Sequence, residues 1–133
     1  MPHILIVEDE PATSWALAEG LADDGFTIDR FSTAEEAWLW LKTGRSDLVI
    51  SDLRLPGMSG LDLARKLRRG RHAQPVIIVT ADGTPDAMRD LAGVGVAHCF
   101  PKPFPMDVLR RSVRKALAAA KGTRTPRRGR ASC

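Results

Sequence analysis

A chain of 133 residues, 44% of them apolar, is long enough to bury one core and leaves little beyond a tail. No apolar run approaches the roughly 18 residues of a membrane span, and no basic stretch followed by a long apolar segment opens the chain, so neither a membrane helix nor a signal peptide is expected. The net charge of +4 is uneven: residues 1–104 carry 11 Lys/Arg against 15 Asp/Glu, and residues 105–133 carry 9 against one. Attraction to nucleic acid would therefore come from the C-terminal segment. Cys99 and Cys133 make no disulfide framework, which points to a reducing, cytoplasmic location.

His3-Ile4-Leu5-Ile6-Val7 is a β-branched apolar run and predicts a first strand. It ends in Glu8-Asp9-Glu10, then Pro11. Three successive acids repel one another and resist burial unless a cation sits among them. A helix N-terminus, which favours negative charge, accounts for one or two of them. Pro11 suits a first helical turn, Trp15, Ala18, Leu21 and Ala22 recur at helical spacing with Leu17 beside them, and Gly25 ends the segment. Residues 26–31 alternate and predict a second strand at a sheet edge. Ser32 with Glu35 reads as a capping box opening a second helix. Its inner stripe is Ala34, Ala37, Trp38 and Leu41, with Trp40 on the flank, Leu39 facing away and Gly44 as the stop. The tryptophans lack polar partners at useful spacing and read as packing residues.

Leu48-Val49-Ile50 suits a buried central parallel strand. It leads into Asp52 and a loop broken by Pro56 and Gly57. In open α/β sheets functional groups collect at the carboxyl ends of strands, although a turn-forming or capping Asp is the competing account of Asp52. Leu61, Ala64 and Leu67 predict a third helix. Its basic outer face (Arg65, Lys66, Arg68, Arg69, then Arg71) reads first as a solvated surface and second as a partner surface. Val76–Val79 predict a fourth strand ending in Thr80, Asp82-Gly83 a turn, and Thr84-Pro85 the capped start of a short fourth helix through Ala87, Met88 and Leu91. A fifth strand is expected over 96–100, followed by Pro101-Lys102-Pro103-Phe104. The last helix begins near Pro105, with Met106, Leu109, Val113 and Leu117 on one face. Arg110, Arg111, Arg114 and Lys115 lie towards the other, and Gly122 closes it. Thr123–Cys133 shows no periodicity and is expected to be disordered.

Strict alternation of five strands and five helices predicts an α/β fold: a flavodoxin-like, doubly wound parallel sheet of order 2-1-3-4-5. In that order the strands ending in Asp9, Asp52, Thr80 and Lys102 are neighbours. With ~4.8 Å between strands, their ends share one rim spanning ~14 Å. Clustered carboxylates call for a hard, oxygen-seeking cation such as Mg²⁺. An Asp can attack phosphorus directly, and a divalent ion with a lysine and a hydroxyl can bind the phosphoryl oxygens. These residues predict that Asp52 takes up a phosphoryl group.

ILIVEDEP, LVISDLRLPGMSG, VIIVTAD and FPKPF, in this order and spacing, resemble the receiver domain of bacterial two-component response regulators. The resemblance covers residues 3 to about 120 and implies a receiver over 1–121, with 122–133 a basic tail or the start of a linker. It implies that Asp52 is the phosphoacceptor and that Glu8 and Asp9 form the acidic pocket. Mg²⁺ would be held by Asp9, Asp52 and the Arg54 carbonyl, and phosphoryl oxygens by Thr80 and Lys102. It further implies a sensor histidine kinase, a phosphotransfer protein or a small donor such as acetyl phosphate as the phosphate source. Output would run through the fourth helix, fifth strand and fifth helix, a surface that can also form a homodimer. Such a domain signals, catalysing only its own phosphotransfer and dephosphorylation. One departure stands out. The switch position, usually Tyr or Phe three residues before the lysine, is Cys99, which reads as a small hydrophobe filling space more readily than a redox sensor. His98 beside it reads as a strand-end residue, and Arg54 and Asp82 sit where receivers tune water access.

Two other chemistries fit less well. A Mg²⁺-dependent aspartyl-phosphate phosphatase usually has a second Asp two residues after the nucleophile, where this chain has Arg54. A nucleotide site would need a glycine-rich first loop in place of Glu-Asp-Glu-Pro. Two arrangements of the receiver stay open, a stand-alone protein and the N-terminal part of a DNA-binding transcriptional regulator.

Overall fold

Each strand alternates its apolar residues between two faces, and each face is covered. In the computed structural model, which describes residues 2–122 apart from Arg71 and Asp82 (Lys121 and Gly122 by their backbone), the strands are β1 (His3–Val7), β2 (Thr27–Phe31), β3 (Leu48–Asp52), β4 (Val76–Thr80) and β5 (His98–Pro101). The helices are α1 (Pro11–Ala22), α2 (Ala34–Leu41), α3 (Gly60–Arg69), α4 (Pro85–Val94) and α5 (Met106–Gly122). All pairings are parallel and the order is β2-β1-β3-β4-β5, as the alternation predicts. The tail 123–133, with the roles expected of Arg71, Asp82 and Cys133, lies outside the described residues. Among the described residues no helix is long and apolar enough to cross a membrane.

Period-2 side-chain alternation sorts the core into two layers. Ile4, Ile6, Ile50, Ile77, Val79 and Phe100 pack with Leu17 and Leu21 of α1 and Leu109, Val113 and Leu117 of α5. Leu5, Val7, Val49, Ile78 and Cys99 pack with α2, α3 and Leu91 of α4. Every residue of β3 and β4 is buried, as central strands covered on both sides require. Edge strand β2 has no buried residue.

Several local expectations change. Trp15 is 59% exposed, and α1 buries Ser14, Leu17 and Leu21 instead. Ser14 tolerates burial because its hydroxyl accepts a hydrogen bond from Arg30 Nε at 3.0 Å, which turns the helix away from its apolar count. α1 stops at Ala22, and Gly25 (φ +85°) ends the turn beyond it. The cap of α2 is Thr33, whose hydroxyl accepts the Glu36 N–H, one residue later than the Ser32–Glu35 pattern. Trp38 is half-buried at the margin of its stripe, with Lys66 Nζ 5.7 Å above its ring. In α3, Leu63 joins Ala64 and Leu67 in the core while Leu61 is half-buried. Arg68 leaves the solvated basic face and donates to the carbonyls of His72 and Gln74 at 3.0 and 3.1 Å; burial lowers its pKa. β5 begins at His98, two residues later than the apolar run suggests.

Candidate functional site

The strand register brings the polar residues together. Val7 pairs with Ser51, Asp52 with Val79, and Thr80 with Pro101, so β1, β3, β4 and β5 end at nearly one level. The residues at and just past these strand ends therefore stand on one rim. Glu8, Asp9 and Asp52 offer carboxylate oxygens that all lie within 4.8 Å of one another. Lys102 comes from beyond β5, its backbone N–H donating to the Thr80 carbonyl at 2.8 Å. Its ammonium bridges Asp52 Oδ2 at 2.8 Å and Glu8 Oε1 at 2.9 Å.

Burial raises the stakes of that pairing. Glu8 is 2% and Asp52 6% exposed, while Asp9 is open to solvent. Burial pushes the Glu8 carboxyl above its ordinary pKa, and the nearby Asp52 charge adds to that. Hydrogen bonds from Lys102 and from the Glu10 N–H oppose the rise without cancelling it. For Lys102, burial disfavours the charge, but its bonds to Asp52 and Glu8 outweigh burial and raise its pKa. The ammonium thus stays charged. Three carboxylates gathered around one ammonium suit a divalent, oxygen-seeking cation. The donor set fits Mg²⁺.

The loop after β3 fixes Asp52 from below. Its Oδ1 accepts the Arg54 N–H at 3.1 Å, and its backbone carbonyl accepts the Ser51 hydroxyl at 2.9 Å. Gly60, first residue of α3, packs so closely that a methyl group there would lie 2.2 Å from the Asp52 backbone oxygen. Ser59 and Asp62 form a reciprocal capping box. Sequence reasoning passed over Gly60, although a serine with an acid three residues on marks where α3 begins.

The family comparison agrees. Residues 4–114 match the response regulator receiver domain. The chain belongs to that family. Relatives include the DNA-binding transcriptional regulator NtrC of Salmonella typhimurium, 32% identical over 93% of this chain and 26% of its own length. The phosphate regulon transcriptional regulatory protein PhoB of Rhizobium meliloti is 37% identical over 91% of this chain and 54% of its own. This receiver thus spans from about a quarter to about half the length of these curated relatives. Among solved structures, response regulator protein TrrA from Thermotoga maritima in complex with Mg(2+)-BeF is 34% identical, with a TM-score of 0.78, covering 87% of this chain and 99% of that one.

In this receiver Thr80 closes β4 and is 2% exposed. Cys99 packs on the α4 side of β5, its Sγ 3.8 Å from Met88 Sδ. This is a buried thiol filling core space. The His98 and Phe100 rings lie tilted against each other with centroids 4.2 Å apart; burial, then the charge of Lys115, lowers the His98 pKa. On the other side of Lys102 an apolar groove of about 730 Å³ runs between α1 and the β5–α5 loop, lined by Trp15, Leu17, Phe104 and Met106.

Proposed function

We propose that Asp52 is the phosphoacceptor of this receiver and that Glu8, Asp9, Asp52 and the Arg54 carbonyl hold Mg²⁺. The observation that carries the reading is the Lys102 ammonium shared by Asp52 and Glu8 beside the exposed Asp9. An Asp52 carboxylate oxygen attacks phosphorus, the P–N bond to the donor imidazole breaks, and the imidazole leaves with the bonding pair and takes up a proton. Lys102, 2.8 Å from Oδ2, donates to a phosphoryl oxygen, and the Thr80 hydroxyl to another. Mg²⁺, when bound, neutralises the remaining phosphoryl charge. That the TrrA relative was solved in complex with Mg(2+)-BeF supports a Mg²⁺-binding reading.

The donor is a histidine kinase or phosphotransfer protein, and the apolar groove flanking Lys102, with Trp15 exposed, supports a protein partner covering that side. Cys99 stands at the switch position, and α4, β5 and α5 form the output and dimer surface. The second reading, the N-terminal receiver of a longer DNA-binding regulator, is favoured by NtrC and PhoB, of which this chain spans 26% and 54%.

The test is incubation with acetyl phosphate and Mg²⁺ followed by intact mass. One phosphoryl group is expected, lost in Asp52→Ala and on chelation. An unchanged mass in folded protein, or full labelling of Asp52→Ala, would overturn the assignment.

A further inference from the structure

Glu35 stands in the first turn of α2, outside the rim cluster, and its carboxylate crosses to the β3–α3 loop. Oε2 accepts the backbone N–H of Met58 at 2.9 Å. Such a bond to an ionised carboxylate is stronger than one between neutral groups. The same oxygen lies against Gly57, where a methyl group would sit 2.2 Å from it. Gly57 has φ +77°, so the left-handed turn favours glycine there.

The loop so gripped is short and closed at both ends. At its start the Arg54 N–H donates to Asp52 Oδ1. At its end the Gly60 N–H returns to the Leu53 carbonyl at 3.0 Å, and the Ser59–Asp62 box begins α3. A closed loop moves as a unit, so displacing its crest at Gly57-Met58 displaces Arg54. α2 is itself anchored through buried Ala34, Ala37 and Leu41. Glu35 therefore transmits the rigidity of a packed helix to the segment that borders the acidic pocket.

We propose that Glu35 is a positioning residue for the cation site: through Met58 and Gly57 it holds the loop so that Arg54 and Asp52 keep the arrangement that binds Mg²⁺. The proposal rests on the Mg²⁺ reading above and concerns the unphosphorylated protein, before any transfer. Supporting residues behind metal ligands commonly change affinity by about tenfold or more when removed.

The experiment titrates Mg²⁺ into the unphosphorylated full chain, followed by NMR shifts, for the wild type, Glu35→Ala and Glu35→Gln. Glutamine keeps an oxygen that accepts the Met58 N–H. Glu35→Ala is expected to bind Mg²⁺ about tenfold more weakly, with faster hydrogen exchange at the Met58 amide. Glu35→Gln is expected to recover most of the affinity. Wild-type affinity in Glu35→Ala, or a glutamine variant as weak as the alanine one, would overturn the positioning role alone. A wild-type chain that binds no Mg²⁺ overturns the Mg²⁺ reading along with it.

Discussion

Helices α3 and α4 cover the same face of the sheet but are held very differently. α3 starts in a reciprocal capping box, presses Gly60 onto the backbone of Asp52 and buries Leu63, Ala64 and Leu67. α4 is capped by the Thr84 hydroxyl and buries Leu91, with Ala87 and Met88 half-buried. Nothing lies within 4 Å of where a side chain on Gly93 would begin. Few buried apolar contacts mean a low free energy of local opening. The helix behind Asp52 is pinned, and the helix behind Thr80 is loosely attached. A pocket can thus keep its shape while the element beside it shifts.

The largest effects should separate the two helices by their buried leucines. Leu67→Ala is expected to cost about 4 kcal/mol and Leu91→Ala about 2 kcal/mol, because a loosely packed site collapses around a lost side chain more easily. Urea denaturation measures both, and equal losses would break the distinction.

The glycines sharpen it, since they should respond in opposite directions. Gly60→Ala forces a methyl group against a backbone oxygen that cannot retreat, and is expected to destabilise by about 3 kcal/mol. Gly93→Ala meets open space inside a helix and is expected to stabilise by about 0.5 kcal/mol. Thermal melts of the two variants suffice; a loss of stability in Gly93→Ala would mean that α4 is packed more tightly than its burial indicates.

The smallest effect is in pH dependence, and it belongs to the pinned rim. The Glu8 carboxyl is raised above its ordinary 4.5, so above that pH the folded chain holds a proton that the unfolded chain has released. Stability from this group therefore falls as pH rises from 4.5 through the native value. Lys102 is raised above 10.5; its contribution is intact below 10.5 and is lost as pH rises through its native value. Glu8→Gln should remove the acid-side slope and shorten the alkaline one, leaving Asp52 as the lysine's partner. Leu91→Ala should lower the whole stability–pH curve without changing its shape. Parallel curves for wild type and Glu8→Gln would contradict the burial of Glu8 as the cause.

Much of this was legible in the residues. Runs such as Ile4–Val7, Leu48–Ile50 and Val76–Val79 are too apolar and β-branched for anything but covered strands, and all three form where expected. The rim residues were legible because each lies at or just past the end of a strand. What misled was phase. Trp15 looks like a core residue by spacing, but α1 is rotated so that Ser14 meets Arg30, a partner 16 positions away. Arg68 looks like part of a solvated face, and it turns inward because two loop carbonyls need a donor. Glu35 looks like half of a capping box, while its carboxylate is taken by the β3–α3 loop.

Periodicity and chain order alone determined the kinds of elements, their succession, the parallel sheet and the set of residues at its carboxyl ends, because these depend on local sterics and on burying apolar surface. Tertiary structure alone decided which side of each helix faces inward and which ions meet. The ammonium of Lys102 reaches Asp52 and Glu8 across separations of 50 and 94 residues, and Glu35 reaches Met58 across 23. Such contacts depend on where packed elements carry their side chains in space, a quantity that no local window of sequence contains.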